Sequence, residues 1–287
     1  MWLLIASLVG IFLVFVLPFL VVDWPIAVAI AVVLYFWPFR VAWVRRWWLW
    51  RRLRERLHYE VIDENGDRPE ISPTEQLVFA VAPHGPLCFS MMLTWVFDNP
   101  DSPLVQKNRE VIPMVSSQVL WVPVLGLLAR LCGCQDISRD NFQTQLGRYK
   151  SIAMAPGGAR EITFCDGDDA TTITLHRHQR ARWVEFIKYN NTNILPVLSV
   201  GEISGYRVYQ SWRPLQRLSY VLTGWPFPMF FFGTLGTFWP REGRLQLVVG
   251  RKILHSDYET FEAMAEAYYA EIERLAEARG ITINYAR

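Results

Sequence analysis

Trp2 to Val22 contains no charged residue. At about 1.5 Å per residue such a run reaches roughly 30 Å, the thickness of a bilayer core. A secretory signal would carry Lys or Arg before the run, a shorter apolar stretch, and a small-residue cleavage site after it. None of these fits, so the run reads as a membrane segment. Asp23 interrupts, and Trp24 to Phe39 resumes the apolar pattern with Pro25 and Pro38 near its ends. The two runs fit a hydrophobic hairpin that dips into the membrane and returns, or two spans joined at Asp23. Arginine recurs through Arg40–Arg56 against a single acid, Glu55. Such a positive flank puts the chain from Arg40 onward on the cytosolic side.

Hydrophobic residues make up 52% of the chain and charged residues 20%, with 13 tryptophans. An ordinary soluble domain carries more charge, so part of the surface is expected to meet lipid. The stretch "RVAWVRRWWLWRRLRER" (Arg40–Arg56) interleaves Arg with Trp. Following a membrane segment, it reads as an interfacial helix, with Trp at headgroup depth and Arg against lipid phosphates. Its position argues against nucleic acid, which these residue types could otherwise bind. Cys88, Cys132, Cys134 and Cys165 form no zinc knuckle with a His cluster. Neither a metal site nor a disulfide framework is expected; the cysteines read as buried or free thiols.

"IDENGDRPEISPTEQ" (Ile62–Gln76) reads as a linker, with a turn at Asn65-Gly66 and prolines at 69 and 73. Beyond it, apolar runs end repeatedly at Gly or Pro: Leu77–Gly85, Glu110–Ser117, Ser151–Gly158, Ile194–Glu202 and Leu245–Ile253. These read as buried strands. Helices are expected over Gln118–Gly133, which is apolar almost all round, over amphipathic Ala181–Asn190, and over Asp257–Gly280, with acids early and Gly last. Alternating strands and helices argue an α/β class. The expected divisions are a membrane hairpin over 1–44, an interfacial helix and linker over 45–76, and a domain over 77–287.

Two strand-end turns carry polar groups: Pro83-His84-Gly85 and "APGGARE" (Ala155–Glu161). Sites in α/β sheets gather beyond the carboxyl ends of strands, so the two turns could meet. Tyr220–Pro240 is dense in aromatics and Gly and reads as membrane-embedded or tunnel-lining. Together with Gln118–Gly133 it could admit a lipid alcohol sideways from the bilayer.

The ordered set of motifs resembles the type-2 diacylglycerol acyltransferase family, which includes monoacylglycerol and wax-alcohol acyltransferases. The hydrophobic hairpin comes first. "APHG" (Ala82–Gly85) is similar to the family's His-Pro-His-Gly, and Ser116–Asn141 to its helix, Gly and Ser-Arg segment. "PGGARE" (Pro156–Glu161), Arg180–Glu202 and "VVGRKI" (Val248–Ile253) follow in the family's order. Ala82 departs from the pattern, standing where the family has its first His, and Phe89 stands where related lysophosphatidate acyltransferases carry Asp.

The resemblance implies a mixed, mostly parallel sheet flanked by helices, like glycerolipid acyltransferases. It implies acyl transfer from acyl-CoA to a lipid alcohol, diacylglycerol first among the acceptors, with monoacylglycerol, wax alcohol or sterol as alternatives. A non-catalytic membrane-hairpin or lipid-droplet protein is the reading of another class. No cofactor or metal is needed, since acyl-CoA is a substrate. Membrane lipid is a further partner, and a homo-oligomer is compatible. The expected place is the endoplasmic-reticulum membrane with the catalytic domain facing the cytosol, lipid droplets being admitted too. His84 is the expected general base, with Glu161 as the carboxylate that holds its imidazole, ahead of Asp136 and Glu202. Gly85, Gly157 and Gly158 are the expected oxyanion or turn positions. Pro83, Arg160, Arg180, Arg182, Lys188 and Glu202 are expected against substrate, the cations toward CoA phosphates. His176 reads as a strand-end residue and Cys88 as packing.

Overall fold

The structure is a computed structural model that describes residues 40–85, 88–105, 110–122, 125–164, 171–177, 181–202, 205–208, 213–226, 231–234 and 239–285. The expected hairpin up to residue 39, Arg180 and Cys165 lie outside the described residues. Among the described residues, no helix is long and apolar enough to cross a membrane.

The chain begins with α1 (Ala42–Arg45), α2 (Trp48–Arg56) and β1 (Glu60–Ile62), followed by β2 (Leu77–Ala82). After His84 come α3 (Phe89–Met91), which runs into a π-helical turn over Met92–Val96, and β3 (Val111–Val115). Then follow α4 (Ser117–Trp121), α5 (Leu125–Leu131), β4 (Gln135–Asp136), α6 (Arg139–Gly147) and β5 (Ser151–Met154). Next are α7 (Gly158–Phe164), β6 (Thr172–Leu175), α8 (Arg182–Tyr189), β7 (Asn193–Val200) and β8 (Arg207–Val208). The chain closes with α9 (Arg213–Thr223), β9 (Phe231–Phe232), β10 (Gln246–Val249), α10 (Phe261–Glu277) and β11 (Thr282–Tyr285).

The main sheet has 7 strands in the order β1-β10-β7-β2-β5-β3-β4. All its pairings are parallel except β10 with β7. Two small pairs complete the set, parallel β11–β6 and antiparallel β8–β9. The central strand β2 is buried at every position. A strand covered on both faces reads as an unbroken apolar run, which is why "LVFAVA" does not alternate. Its odd-numbered side chains Leu77, Phe79 and Val81 join one core with Leu53, Trp95 and Leu104. Val78, Ala80 and Ala82 join the other, with Phe142, Val184 and Tyr268. Helix α10 closes the second layer, with Tyr268, Ile272 and Leu275 fully buried. Its N-cap Thr260 accepts the Ala263 N–H at 3.2 Å, satisfying a donor that the helix itself cannot.

Residues ahead of β2 pack against the sheet. Val44, Leu49, Trp50, Leu53 and Leu57 are buried in the first core, and Trp50 stacks on Phe97 at 3.7 Å. Arg45 donates to the carbonyls of Trp95 and Val96, and Arg56 to that of Pro240. Residues 40–62 therefore pack as part of the domain. The expected helix over Gln118–Gly133 is two helices, α4 and α5, separated at Val122 and the undescribed 123–124.

Candidate active site

Five neighbouring strands, β7, β2, β5, β3 and β4, run the same way, so their carboxyl ends share one edge of the sheet. Three of them carry the chain into site loops there. β2 delivers His84, β5 delivers Pro156–Gly158 and then Glu161 on α7, and β7 delivers Glu202. A cavity of about 300 Å³ opens at this edge. Its wall is mainly apolar, with Met91, Met92, Val96, Met114, Leu128 and Ile162, and His84 and Cys88 also line it. The π-helical turn keeps Met92 and Val96 in that wall, its widened ring closed by Phe97 N–H donating to Met92 O at 2.8 Å.

Glu161 does meet the Pro-His-Gly turn, but through the backbone. Its Oε2 accepts the His84 N–H at 2.7 Å and its Oε1 accepts the His176 N–H at 2.8 Å. The imidazole has a different partner: Nδ1 lies 2.8 Å from the Gly85 carbonyl oxygen. A carbonyl oxygen only accepts, so Nδ1 carries the proton in this contact and Nε2 keeps its lone pair in the neutral ring. The tautomer that a distant carboxylate was expected to hold is thus held by a carbonyl one residue away. Glu161 is 4% exposed, and burial pushes its carboxyl up to about 7 while the two N–H donors pull the other way.

Glu202 is the second buried carboxylate. Its Oε2 accepts the Phe89 N–H at 2.8 Å, and its Oε1 accepts the Ser90 N–H at 3.0 Å and the Ser199 hydroxyl at 2.9 Å, together with a short contact from the Ser90 hydroxyl. It therefore caps α3, the element that follows the histidine. Burial raises its carboxyl above the ordinary range, while the Ser90 and Ser199 donors and the charge of protonated His84 lower it.

The glycines make room for these carboxylates. A Cβ on Gly157 would fall 1.8 Å from Glu161 Cδ, and one on Gly85 would fall 2.6 Å from Glu202 Cβ. Gly158 adopts φ +55° and its N–H donates to Ala155 O at 3.3 Å. Among the described residues, the N–H groups of Gly85 and Gly157 have no such partner, which narrows the expected oxyanion donors to these two. Pro83 is half-buried between β2 and His84.

The other expected residues separate from the cavity. Asp136 Oδ1 accepts the Ser138 N–H at 2.6 Å at the entry to α6, so it serves its own loop and not His84. Lys188 donates to the carbonyls of His255 and Tyr258, which ties α8 to the approach to α10. Arg182 is exposed at the start of α8, Arg160 is half-buried on α7 next to Glu161, and none of these three cations lines the cavity. Cys88 is buried in a left-handed conformation, with φ 49°, and burial raises its thiol well above the ordinary value. That agrees with packing and not with a nucleophile. Ala82 points into the second core and does not line the cavity, so its departure from the His-Pro-His-Gly pattern takes no group out of that cavity. Among the described residues, no His, Cys, Asp and Glu group is arranged to hold a metal. Part of the wall falls in the two stretches expected to admit a lipid, with Leu125 and Leu128 from Gln118–Gly133 and Trp225 from Tyr220–Pro240, whereas the side built by Met91, Met92 and Val96 was not expected.

A family model described as diacylglycerol acyltransferase matches residues 16–274. The chain belongs to the diacylglycerol acyltransferase family. Within that family it is 26% identical over 191 residues to human "Diacylglycerol O-acyltransferase 2-like protein 6", covering 62% of this chain and 54% of the relative. It is 25% identical over 174 residues to "Diacylglycerol O-acyltransferase 2" of Xenopus tropicalis, covering 58% and 45%. The chain spans about half the length of these curated relatives. A solved structure of the lysophosphatidate acyltransferase PlsC from Thermotoga maritima aligns with 82% of this chain and 81% of its own, at 9% identity and a TM-score of 0.48.

Proposed function

We propose that this member of the diacylglycerol acyltransferase family is an acyl-CoA-dependent O-acyltransferase that converts diacylglycerol to triacylglycerol, with His84 as general base. The observation that carries the reading is His84 at the wall of an apolar cavity, its Nδ1 engaged by Gly85 O and its Nε2 left as the basic atom. As the acceptor hydroxyl oxygen attacks the thioester carbonyl, Nε2 takes its proton. The tetrahedral intermediate then collapses, the C–S bond breaks, and the departing CoA sulfur receives the proton from the imidazolium. Glu202 supplies the counter-charge for that imidazolium, and Gly85 and Gly157 are the candidate N–H donors to the developing oxyanion, an effect worth about 3–4 kcal/mol per donor elsewhere. The apolar wall suits an acyl chain and limits water, which would hydrolyse the thioester. Membrane lipid and the endoplasmic reticulum, with lipid droplets, belong to the same proposal, supported by the uncharged N-terminal runs.

The test is an acyl-transfer assay in microsomes with labelled acyl-CoA and separate acceptors: diacylglycerol, monoacylglycerol, a long-chain alcohol and a sterol. Labelled triacylglycerol as the main product is expected. Turnover with another acceptor alone would keep the chemistry and change the substrate. Absence of transfer to all four, in folded protein, would favour the non-catalytic reading.

A further inference from the structure

Helix α9 is folded inside out. Arg213 and Gln216 are 6% and 7% exposed, while Leu218, Val221 and Leu222 are 54%, 76% and 73% exposed. Hydrogen bonds hold the polar side inward. Arg213 Nη1 reaches Thr163 O of α7 at 3.5 Å, and Gln216 Nε2 reaches Pro226 O at 3.4 Å. The last turn is tied as well, with Ser219 Oγ donating to Trp225 O at 3.0 Å and Gln118 Nε2 of α4 donating to Thr223 O at 3.3 Å. A helix bordering water normally turns its apolar stripe to the core and its polar side outward. A contiguous outward apolar surface marks an interaction site.

The surface continues beyond α9. Trp121 and Leu125, on α4 and α5, are 68% and 37% exposed. Gln118 and Leu125 from this segment, with Trp225 and Pro226 from the turn after α9, also line the His84 cavity. The outer patch and the cavity wall therefore share Leu125, and the Gln118–Thr223 hydrogen bond sets the end of α9 beside them, an arrangement that suits one class of occupant. Where the N-terminal runs join the body argues what that occupant is. Val41 N–H donates to Leu131 O at 2.8 Å, so the uncharged sequence before Arg40 enters beside the last residue of α5. Leu125 begins the same helix, about 9 Å away along its axis. A bilayer that held the apolar N-terminal runs would lie against the flank that carries Leu125, Trp121 and α9.

We infer that the outward face of α9, with Trp121 and Leu125, docks into a lipid leaflet, so that the mouth of the His84 cavity opens onto the leaflet and a lipid reaches it along this flank. The docking surface goes beyond the acyl-transfer reading and is testable without turnover. The full chain carrying Val221→Cys is labelled with an environment-sensitive fluorophore and reconstituted in phosphatidylcholine nanodiscs. The unsubstituted protein, treated alike, supplies the background from the chain's own four cysteines, of which Cys88, Cys132 and Cys134 are buried. Asn65→Cys, in the exposed turn after β1 at the opposite edge of the sheet, is the water-facing control. The expected result at position 221 is blue-shifted emission, quenching by lipids spin-labelled on the acyl chain, and loss of quenching by iodide. Position 65 should behave in the opposite way. Quenching of the 221 label by iodide and not by spin-labelled lipid would overturn the inference. A label shielded from both quenchers, with shielding that fades on dilution, would mean that a second copy covers α9 and would overturn it equally.

Discussion

The Glu161 carboxylate accepts the backbone N–H of His84 at 2.7 Å and leaves the imidazole to the Gly85 carbonyl. A buried acid therefore fixes where the histidine stands, and a neighbouring carbonyl fixes which nitrogen can act as base. Glu161 titrates at about 7 because burial raises it from the ordinary 4.5. Between these values the folded protein keeps a proton that the unfolded chain has lost. Its contribution to stability is full below about 4.5, falls as pH rises, and is lost above about 7. The scale is about 3 kcal/mol, since each tenfold change in proton affinity is worth about 1.4 kcal/mol. Glu161→Gln removes the titration. Unfolding free energies of wild type and variant, compared across pH 4.5 to 7.5 (a range of about 3 units that brackets both values), should differ by an amount that drifts in this direction. A pH-independent difference would contradict the assignment.

The glycine turns carry a sharper expectation. Gly157→Ala puts a methyl where the Glu161 carboxyl carbon now lies, 1.8 Å away, so the carboxylate must leave both N–H donors. Gly85→Ala meets Glu202 at its Cβ, 2.6 Å away, where the side chain has no freedom to move aside. Overpacking of this kind costs about 1–3 kcal/mol, and an orphaned buried N–H adds about as much again. Thermal unfolding should show both variants destabilised, with acyl transfer reduced in what remains folded. An Ala variant as stable and active as wild type would mean that the carboxylates do not sit against these turns.

Ala82→His tests the meaning of the missing first histidine. Ala82 is 3% exposed and packs with Val78 and Ala80, away from the cavity. An imidazole there should destabilise the protein by about 1–3 kcal/mol and bring no gain in turnover. Faster turnover would show that the site lacks a group that this position supplies.

Cys88→Ala addresses the thiol beside His84. The thiol is buried and its ionisation is disfavoured, first by burial and then by the charge of Glu202. The variant should keep acyl transfer close to the wild-type rate. Loss of turnover with retained folding would reopen a covalent route.

The central strands were legible because parallel strands buried on both faces write themselves as apolar runs ending at Gly or Pro, as in Leu77–Ala82 and Ile194–Val200. Edge strand β1 was not, since three half-buried residues before a polar stretch carry no pattern. His84, Glu161 and Glu202 were legible as residues of one site, but their contacts were not. The sequence marks side chains, whereas the partner of the imidazole is a backbone carbonyl and the partners of both carboxylates include backbone N–H groups. Helix α9 shows the same limit. The spacing of Leu215, Leu218, Val221 and Leu222 marks an apolar stripe, yet spacing does not say whether the stripe faces the core or the outside.

The most direct test of the central claim is kcat for acyl transfer to diacylglycerol in wild type and His84→Ala, with folding of both checked by circular dichroism. A general base of this kind contributes about 100- to 10,000-fold, so kcat should fall by at least about 100-fold while the KM for acyl-CoA changes little. Wild-type turnover by folded His84→Ala would contradict the account.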